Sequence, residues 1–236
     1  MKKSLLILFG ESFRLGGQGN RNIGSEESYE EQIKAAKSHI NFILNLQRQN
    51  ISMVVSINSY TTQYDNHLSD IYKNKNVLHD NIFYTNLLGQ NALIHNCINR
   101  IDNVNDYDFI LCMRIDLFLK DGFMEIFNPD NDRILFPSIC FEPYHKVGKH
   151  PRVNDTMMCV PKKYINFFKQ NNFNLSHNTW YDLIEDYNFN YSQLDMMLTT
   201  YHDSDSAKDY NPIYYIVNRP ENSNHETKKV FDKYNF

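Results

Sequence analysis

Apolar runs and apolar stripes alternate along this chain, and their spacing predicts its elements. The run KSLLILFG (3–10) is continuous, apolar and closed by Gly10, the pattern of a strand buried on both faces. A polar, glycine-rich loop follows, ESFRLGGQGNRNIG. The segment SEESYEEQIKAAKSHINFILNLQRQN then opens with Ser25 and a glutamate-rich first turn, an N-cap signal with the charge that suits a helix dipole. Ile33, Ala36, Ile40, Ile43 and Leu44 recur at helical spacing and predict one core-facing stripe. ISMVVSINSY predicts a second strand, and NLLGQNALIHNCINRI an amphipathic helix with Leu87, Ile94, Ile98 and Ile101 on one side.

Further along, Phe109–Leu119 predicts another strand, and DRILFPSICF and NDTMMCVP two more. KKYINFFKQN predicts a short helix, NPIYYIVNR a late strand, and the polar tail 221–236 is expected to fray. Strands alternating with helices predict an α/β protein with a mixed, mainly parallel central sheet flanked by helices. No internal repeat or linker-like break divides the sequence, so 1–236 reads as a single domain.

Composition narrows the class. Hydrophobic residues make up 42% and charged residues 22%, with a net charge of -4, which supports a sizeable core and excludes a disordered chain or a nucleic-acid binder. Cys97, Cys112, Cys140 and Cys159 are widely spaced, without a C-x-x-C pair, and read as reduced core residues. The start, MKKSLLILFGES, has an apolar run shorter than the roughly seven to fifteen residues of a signal peptide or the about twenty of a membrane span. The expectation is a cytoplasmic protein with no membrane span, peripheral association left open.

One strand carries an anomaly. Arg114 and Asp116 lie inside the apolar run FILCMRIDLFL, where a charge is costly unless it is paired or binds something. Strand alternation puts Cys112, Arg114, Asp116 and Phe118 on one side and Met113, Ile115, Leu117 and Leu119 on the other, with the two charges roughly 6.5 to 7 Å apart along the strand. Two readings follow. The charges pair with each other or with adjacent loops, which spacing alone favours. Otherwise Asp116 holds a divalent cation and Arg114 an anionic group, at the strand end where open α/β sheets gather ligands.

The strand pattern F-I-L-C-M-R-I-D-L-F-L resembles the R-x-D-L strand of small bacterial and giant-virus glycosyltransferases of the WavE-like, capsule and lipopolysaccharide type. FGESFR at the end of the first strand is similar to their opening glycine-then-arginine turn, and VNDTMMCVPKKYINFF to a downstream segment. The resemblance covers about the first 170 residues. It implies a single GT-A-like domain, with 1–120 as the donor-binding half and 121–220 as the acceptor side. It also implies transfer of a sugar from a nucleotide-sugar donor to a glycan or other hydroxyl acceptor, in surface polysaccharide or capsule assembly. In that family an Asp-x-Asp grips Mn or Mg against the donor diphosphate. Here Arg114 replaces the first Asp, leaving Asp116 as the expected metal ligand, with Asp108 and Asp155 as candidates to complete the shell.

The resemblance assigns roles to the remaining candidates. Arg114 would meet the diphosphate, and Gly10, Arg14 and Arg21 would serve the nucleotide. Asp155 would be the general base of an inverting reaction or an acceptor anchor, against its ordinary reading as a turn residue capping local amides. The G-G-Q-G run is neither a dinucleotide fingerprint nor a P-loop. His145, Lys146, Lys149, His150 and Arg152 form a basic loop able to close over a diphosphate, or merely solvated. Trp180 and Tyr181 could stack on a sugar, though packing is the commoner fate. Gln193 and Asp195 are placed on a helix near the acceptor. The alternatives are transfer of a phosphorus-containing or nucleotidyl group on a similar fold, and a catalytically silent nucleotide-binding assembly protein.

Overall fold

The computed structural model describes residues 1–16, 22–73, 78–86, 88–140, 152–171, 179–198, 200–201, 213–217 and 228–229. The strands are β1 (Lys2–Gly10), β2 (Ile51–Tyr60), β3 (Leu78–Tyr84), β4 (Phe109–Arg114), β5 (Leu117–Leu119), β6 (Ile134–Phe136) and β7 (Ile139–Cys140). They continue with β8 (Arg152–Val153), β9 (Met157–Pro161), β10 (Leu194–Met196), β11 (Thr200–Tyr201), β12 (Tyr214–Ile216) and β13 (Lys228–Lys229). The helices are α1 (Tyr29–Arg48), α2 (Asp65–Tyr72), α3 (Gln90–Arg100), α4 (Asp121–Ile126), α5 (Lys162–Gln170) and α6 (Thr179–Glu185).

Seven strands form the central sheet in the order β10-β6-β9-β4-β1-β2-β3. All neighbours pair in parallel except β9, which runs antiparallel to both β4 and β6. The α/β class and the mixed, mainly parallel sheet are therefore as the sequence pattern predicts. Alternation along β1 sorts the core. Leu6 and Leu8 join the layer containing Phe42, Ile43, Leu68 and Tyr72 of α1 and α2; Leu5, Ile7 and Phe9 join Leu93, Ile98, Ile165 and Phe168 of α3 and α5. Both faces are covered, which is why β1 and β4 read as unbroken apolar runs.

Several elements differ from the expectation. The strand predicted over 109–119 breaks at Ile115–Asp116. β4 stays in the main sheet, while β5 leaves it to pair antiparallel with β12. Tertiary hydrogen bonds hold the break: Ile115 N–H donates to Phe9 O at 2.8 Å, and Val217 N–H to Asp116 O at 2.9 Å. Pro137, which cannot donate to a ladder, separates β6 from β7 within DRILFPSICF. α2 and β3 are legible only weakly, because α2 buries just Leu68 and Tyr72 and β3 is an edge strand. The segment around Gln193 and Asp195 is not a helix: Tyr191–Gln193 forms one 3-10 turn with an Asn190–Gln193 capping box, and Asp195 lies on β10. The tail beyond 220 is described only at β13.

Helix α1 forms within the predicted segment, but it starts at Tyr29 after a 3-10 turn over Glu26–Ser28, Ser25 makes no side-chain cap bond, and the buried face is rotated. Ile33, Ile40 and Leu44 are half-buried, while Gln32, Ser38, His39, Phe42 and Leu46 are buried. Three of these are polar, and each has a partner across the layer. Gln32 Nε2 donates to Ile115 O (2.8 Å), His39 Nε2 to Leu117 O (2.7 Å), and Leu119 N–H to Ser38 Oγ (2.9 Å). Buried polar groups are tolerated when so bonded, and these bonds fix the backbone on both sides of Asp116.

Candidate functional site

The chain runs β1, β2, β3 toward one edge of the sheet and then returns to place β4 on the other side of β1. That reversal makes the β1–β4 boundary a topological switch point, the place at the carboxyl ends of the strands where open α/β sheets generally gather ligands. The register is Phe9 beside Arg114, so Gly10 and Glu11 emerge next to Ile115 and Asp116. β9 runs the other way, and its amino end therefore delivers Asn154, Asp155 and Thr156 to the same edge.

Gly10 sits at φ +106°, a region that favours glycine, and a Cβ built on it would meet nothing within 4 Å. The turn after it is braced by Ser59, whose Oγ donates to Gly10 O at 2.8 Å and accepts from Ser12 N–H at 3.2 Å. Gln32 Oε1 accepts from Phe13 N–H at 3.1 Å. Arg14 Nη1 lies 2.8 Å from Glu11 Oε2, both side chains largely buried, and Arg14 Nε donates to Gly16 O. Leu15 and Asn22 close the loop with paired backbone bonds. Arg21 lies outside the described residues.

Arg114 and Asp116 form a bidentate pair. Nε donates to Oδ1 at 2.8 Å and Nη2 to Oδ2 at 2.5 Å, with Asp116 only 2% exposed. This is the pairing that spacing alone favours. It disagrees with Asp116 as a metal ligand, because each oxygen already accepts from a guanidinium and the residue is sealed from solvent. The proposed shell does not assemble either. Asp108 stands at the opposite, amino end of β4, accepting from Lys3 N–H at 2.8 Å. Among the described residues no group of three His, Cys, Asp or Glu side chains could hold a metal. Among the described residues the side chains at this edge do not fit a tightly held Mn or Mg ion.

Asp155 sits in a tightly pinned turn. Asn154 N–H donates to Ser138 O (2.9 Å), Thr156 N–H to Asn154 Oδ1 (3.0 Å), Arg114 N–H to Thr156 O (2.9 Å), and Thr156 Oγ1 to the Tyr214 hydroxyl (3.1 Å). The local amide-capping job that an ordinary turn aspartate performs is thus done by Asn154. Asp155 itself is half-buried, beside the strand end that carries Arg114. The fold therefore brings Gly10, Arg14, Arg114, Asp116 and Asp155 to one edge. Asp195 does not join their hydrogen-bond network, since it accepts from Asn131 Nδ2 at 3.0 Å on the far strand β10. His145, Lys146, Lys149 and His150 lie outside the described residues, and the side chains of Arg152, Trp180 and Tyr181 are likewise not described.

Sequence reading missed Glu11, Gln32, Ser59, Thr156 and Tyr214. The signal for Gln32 was present: a polar residue one position before the apolar stripe of α1. The others became visible only once strand ends were set side by side. Cys97, Cys112 and Cys159 are free and buried as expected. Burial pushes the thiol of Cys159 up to about 12 and that of Cys112 well above the ordinary range, which keeps both protonated and unreactive. Among the described residues no helix is long and apolar enough to cross a membrane.

No protein-family model matches the chain. No curated protein matches it in sequence either. Solved structures do. A Drosophila beta-1,4-galactosyltransferase 7 mutant in complex with manganese, UDP-Gal and xylobiose aligns with 99% of this chain and 78% of its own, at 14% identity and a TM-score of 0.49. The galactosyltransferase LgtC with donor and acceptor sugar analogs aligns over 82% and 72%, at 11% identity and a TM-score of 0.43. A glycosyltransferase involved in glycosylation of the major capsid of PBCV-1 aligns over 92% and 93%, at 9% identity and a TM-score of 0.42. At these values the likeness assigns no family and no residue role.

Proposed function

We propose that this protein is a GT-A-like glycosyltransferase that moves a sugar from a nucleotide-sugar donor to a hydroxyl acceptor. The observation that carries the reading is the meeting of Gly10, the Glu11–Arg14 pair, the Arg114–Asp116 pair and Asp155 at the carboxyl edge of the β1–β4 switch point. A sugar leaving a nucleoside diphosphate builds negative charge on the diphosphate and positive character at the anomeric carbon. Arg14 and Arg114, each braced in orientation by a carboxylate, supply the cationic groups of this edge. Gly10, with open space where a Cβ would stand, lets phosphate approach the backbone. Asp155 takes the proton of the acceptor hydroxyl in this reading. Asp116 acts through Arg114, by holding its guanidinium plane, and no step runs through a metal.

The wider setting proposed is surface polysaccharide assembly, which the sequence resemblance implies, in the cytoplasm, with Arg21 as a second nucleotide contact. The test is release of nucleoside diphosphate from a panel of UDP- and GDP-sugars, with hydroxyl acceptors supplied. No turnover with any donor, together with no binding of UDP or GDP, overturns the reading.

One observation favours a second reading. Each arginine at the edge is already balanced by a buried carboxylate, so the charge available for catalysis is small. A catalytically silent nucleotide-binding protein fits that balance. It predicts a rise in melting temperature with a nucleoside diphosphate and no sugar transfer.

A further inference from the structure

A second recess lies away from the carboxyl edge, between α1, β5 and α4, with a volume of about 430 Å³, the size of a small-ligand site. Lys34, Lys37, Asn41 and Asn45 follow one another at three- and four-residue spacing and so share one face of α1. Phe118 and Lys120 border the recess from β5 and the turn after it, Met124 from α4, and Phe42 and Phe123 form a buried apolar floor. The Phe118 ring is itself fixed, stacked on Tyr215 with centroids 4.9 Å apart and an interplanar angle of 23°.

Charge here is lopsided. Three ammonium groups border the recess against the single carboxylate of Asp121. Lys34 is engaged by Glu31 at 2.5 Å, and Lys120 lies 5.8 Å from the centre of the Tyr215 ring. Lys37 forms no ion pair among the described residues. The chain as a whole carries a net charge of -4, so a cationic recess runs against its average.

We propose that this recess binds an anionic saccharide unit, a sugar bearing a carboxylate or a phosphate. Lys37 and Lys120 meet the anion, and the side-chain amides of Asn41 and Asn45 meet ring hydroxyls. The exposed edges of Phe118 and Met124 cover the apolar face of the pyranose. The inference is independent of the donor site, since none of its residues belongs to the carboxyl edge.

The test uses the full chain labelled at its methionine methyl groups, with the Met124 signal identified through Met124→Leu. Titration is with glucuronate, glucose 6-phosphate, glucose and, as the probe of the carboxyl edge, UDP. The Met124 methyl is expected to shift saturably with glucuronate, glucose 6-phosphate or both, and the tighter of the two names the anion. Glucose should bind at least tenfold more weakly, UDP should leave this methyl in place, and Lys37→Glu should weaken the anionic sugars at least tenfold while the spectrum stays folded. Equal binding of glucose, indifference to Lys37→Glu, or no saturable shift with either acid overturns the proposal, whatever UDP does.

Discussion

Gln32 Nε2 donates to the carbonyl of Ile115 at 2.8 Å, tying the middle of α1 to the break at which the chain leaves the main sheet. Its other end accepts from Phe13 N–H at 3.1 Å, so one fully buried amide holds both loops of the candidate site. Gln32→Leu keeps the volume and leaves two buried backbone groups unpaired. Each costs roughly 1–3 kcal/mol, so urea unfolding should show a loss of about 2–6 kcal/mol. A loss under about 1 kcal/mol would mean that the amide is dispensable to the site.

The Arg114–Asp116 pair should behave as a unit. Removing either partner strands the other as a buried charge, which costs about 3–5 kcal/mol. Arg114→Met and Asp116→Leu are each expected to lose that much, and the double variant much less than their sum. Additive losses in a double-mutant cycle would show that the pair has no special coupling.

Asp155→Asn separates chemistry from binding. As the base, its loss should lower kcat by roughly 10²–10⁴-fold with donor KM nearly unchanged. A rate within a few-fold of the parent protein, measured on the donor that turns over, removes Asp155 from that role.

Gly10→Ala meets no steric obstacle, yet places a side chain at φ +106°. The expected cost is backbone strain of about 1–3 kcal/mol, seen as a lower urea midpoint with an unchanged m-value. A neutral effect would mean that the turn relaxes to an ordinary conformation.

His39 gives the protein an acid-sensitive core. Burial lowers its pKa from the ordinary 6.5 to about 4, outweighing the Leu117 carbonyl and the Asp116 charge, which both favour the protonated ring. Nε2 donates to Leu117 O, so Nδ1 accepts from the Tyr72 hydroxyl at 2.7 Å, and a second proton would force that bond to reverse, with the ring donating to the hydroxyl. Between pH 6.5 and 4 the unfolded chain binds the proton and the folded one does not. Stability therefore falls as pH drops through that window, by about 3 kcal/mol at the bottom, and is flat in this respect above it. His39→Gln should flatten that part of the profile in denaturant titrations; an unaltered slope would assign the effect to other groups.

The sheet's outline was legible because burial on both faces writes itself as continuous apolar runs, as in β1 and β9, and α1 announced itself by spacing and its acidic first turn. α2, β3 and α4 were not, because short or marginal elements bury few residues and leave little periodicity to detect. Sequence reading singled out Gly10, Arg14, Arg114, Asp116 and Asp155 as candidates and favoured the Arg114–Asp116 pair, but it did not show the Glu11–Arg14 pair or the meeting of β1, β4 and β9 at one edge.

Periodicity alone determined that this chain is an α/β protein with charges embedded in a central strand. Spacing favoured their pairing with each other, and the tertiary structure decided between that and a bound ion. Asp116 finds its partner two residues away because the backbone turns out of the sheet between Arg114 and Leu117, and that turn is held by Gln32, Phe9 and Val217, distant in sequence. A strand's local pattern records which side chains avoid water and which share a face, whereas the turn between the two charges is held by contacts from distant segments that no local pattern carries.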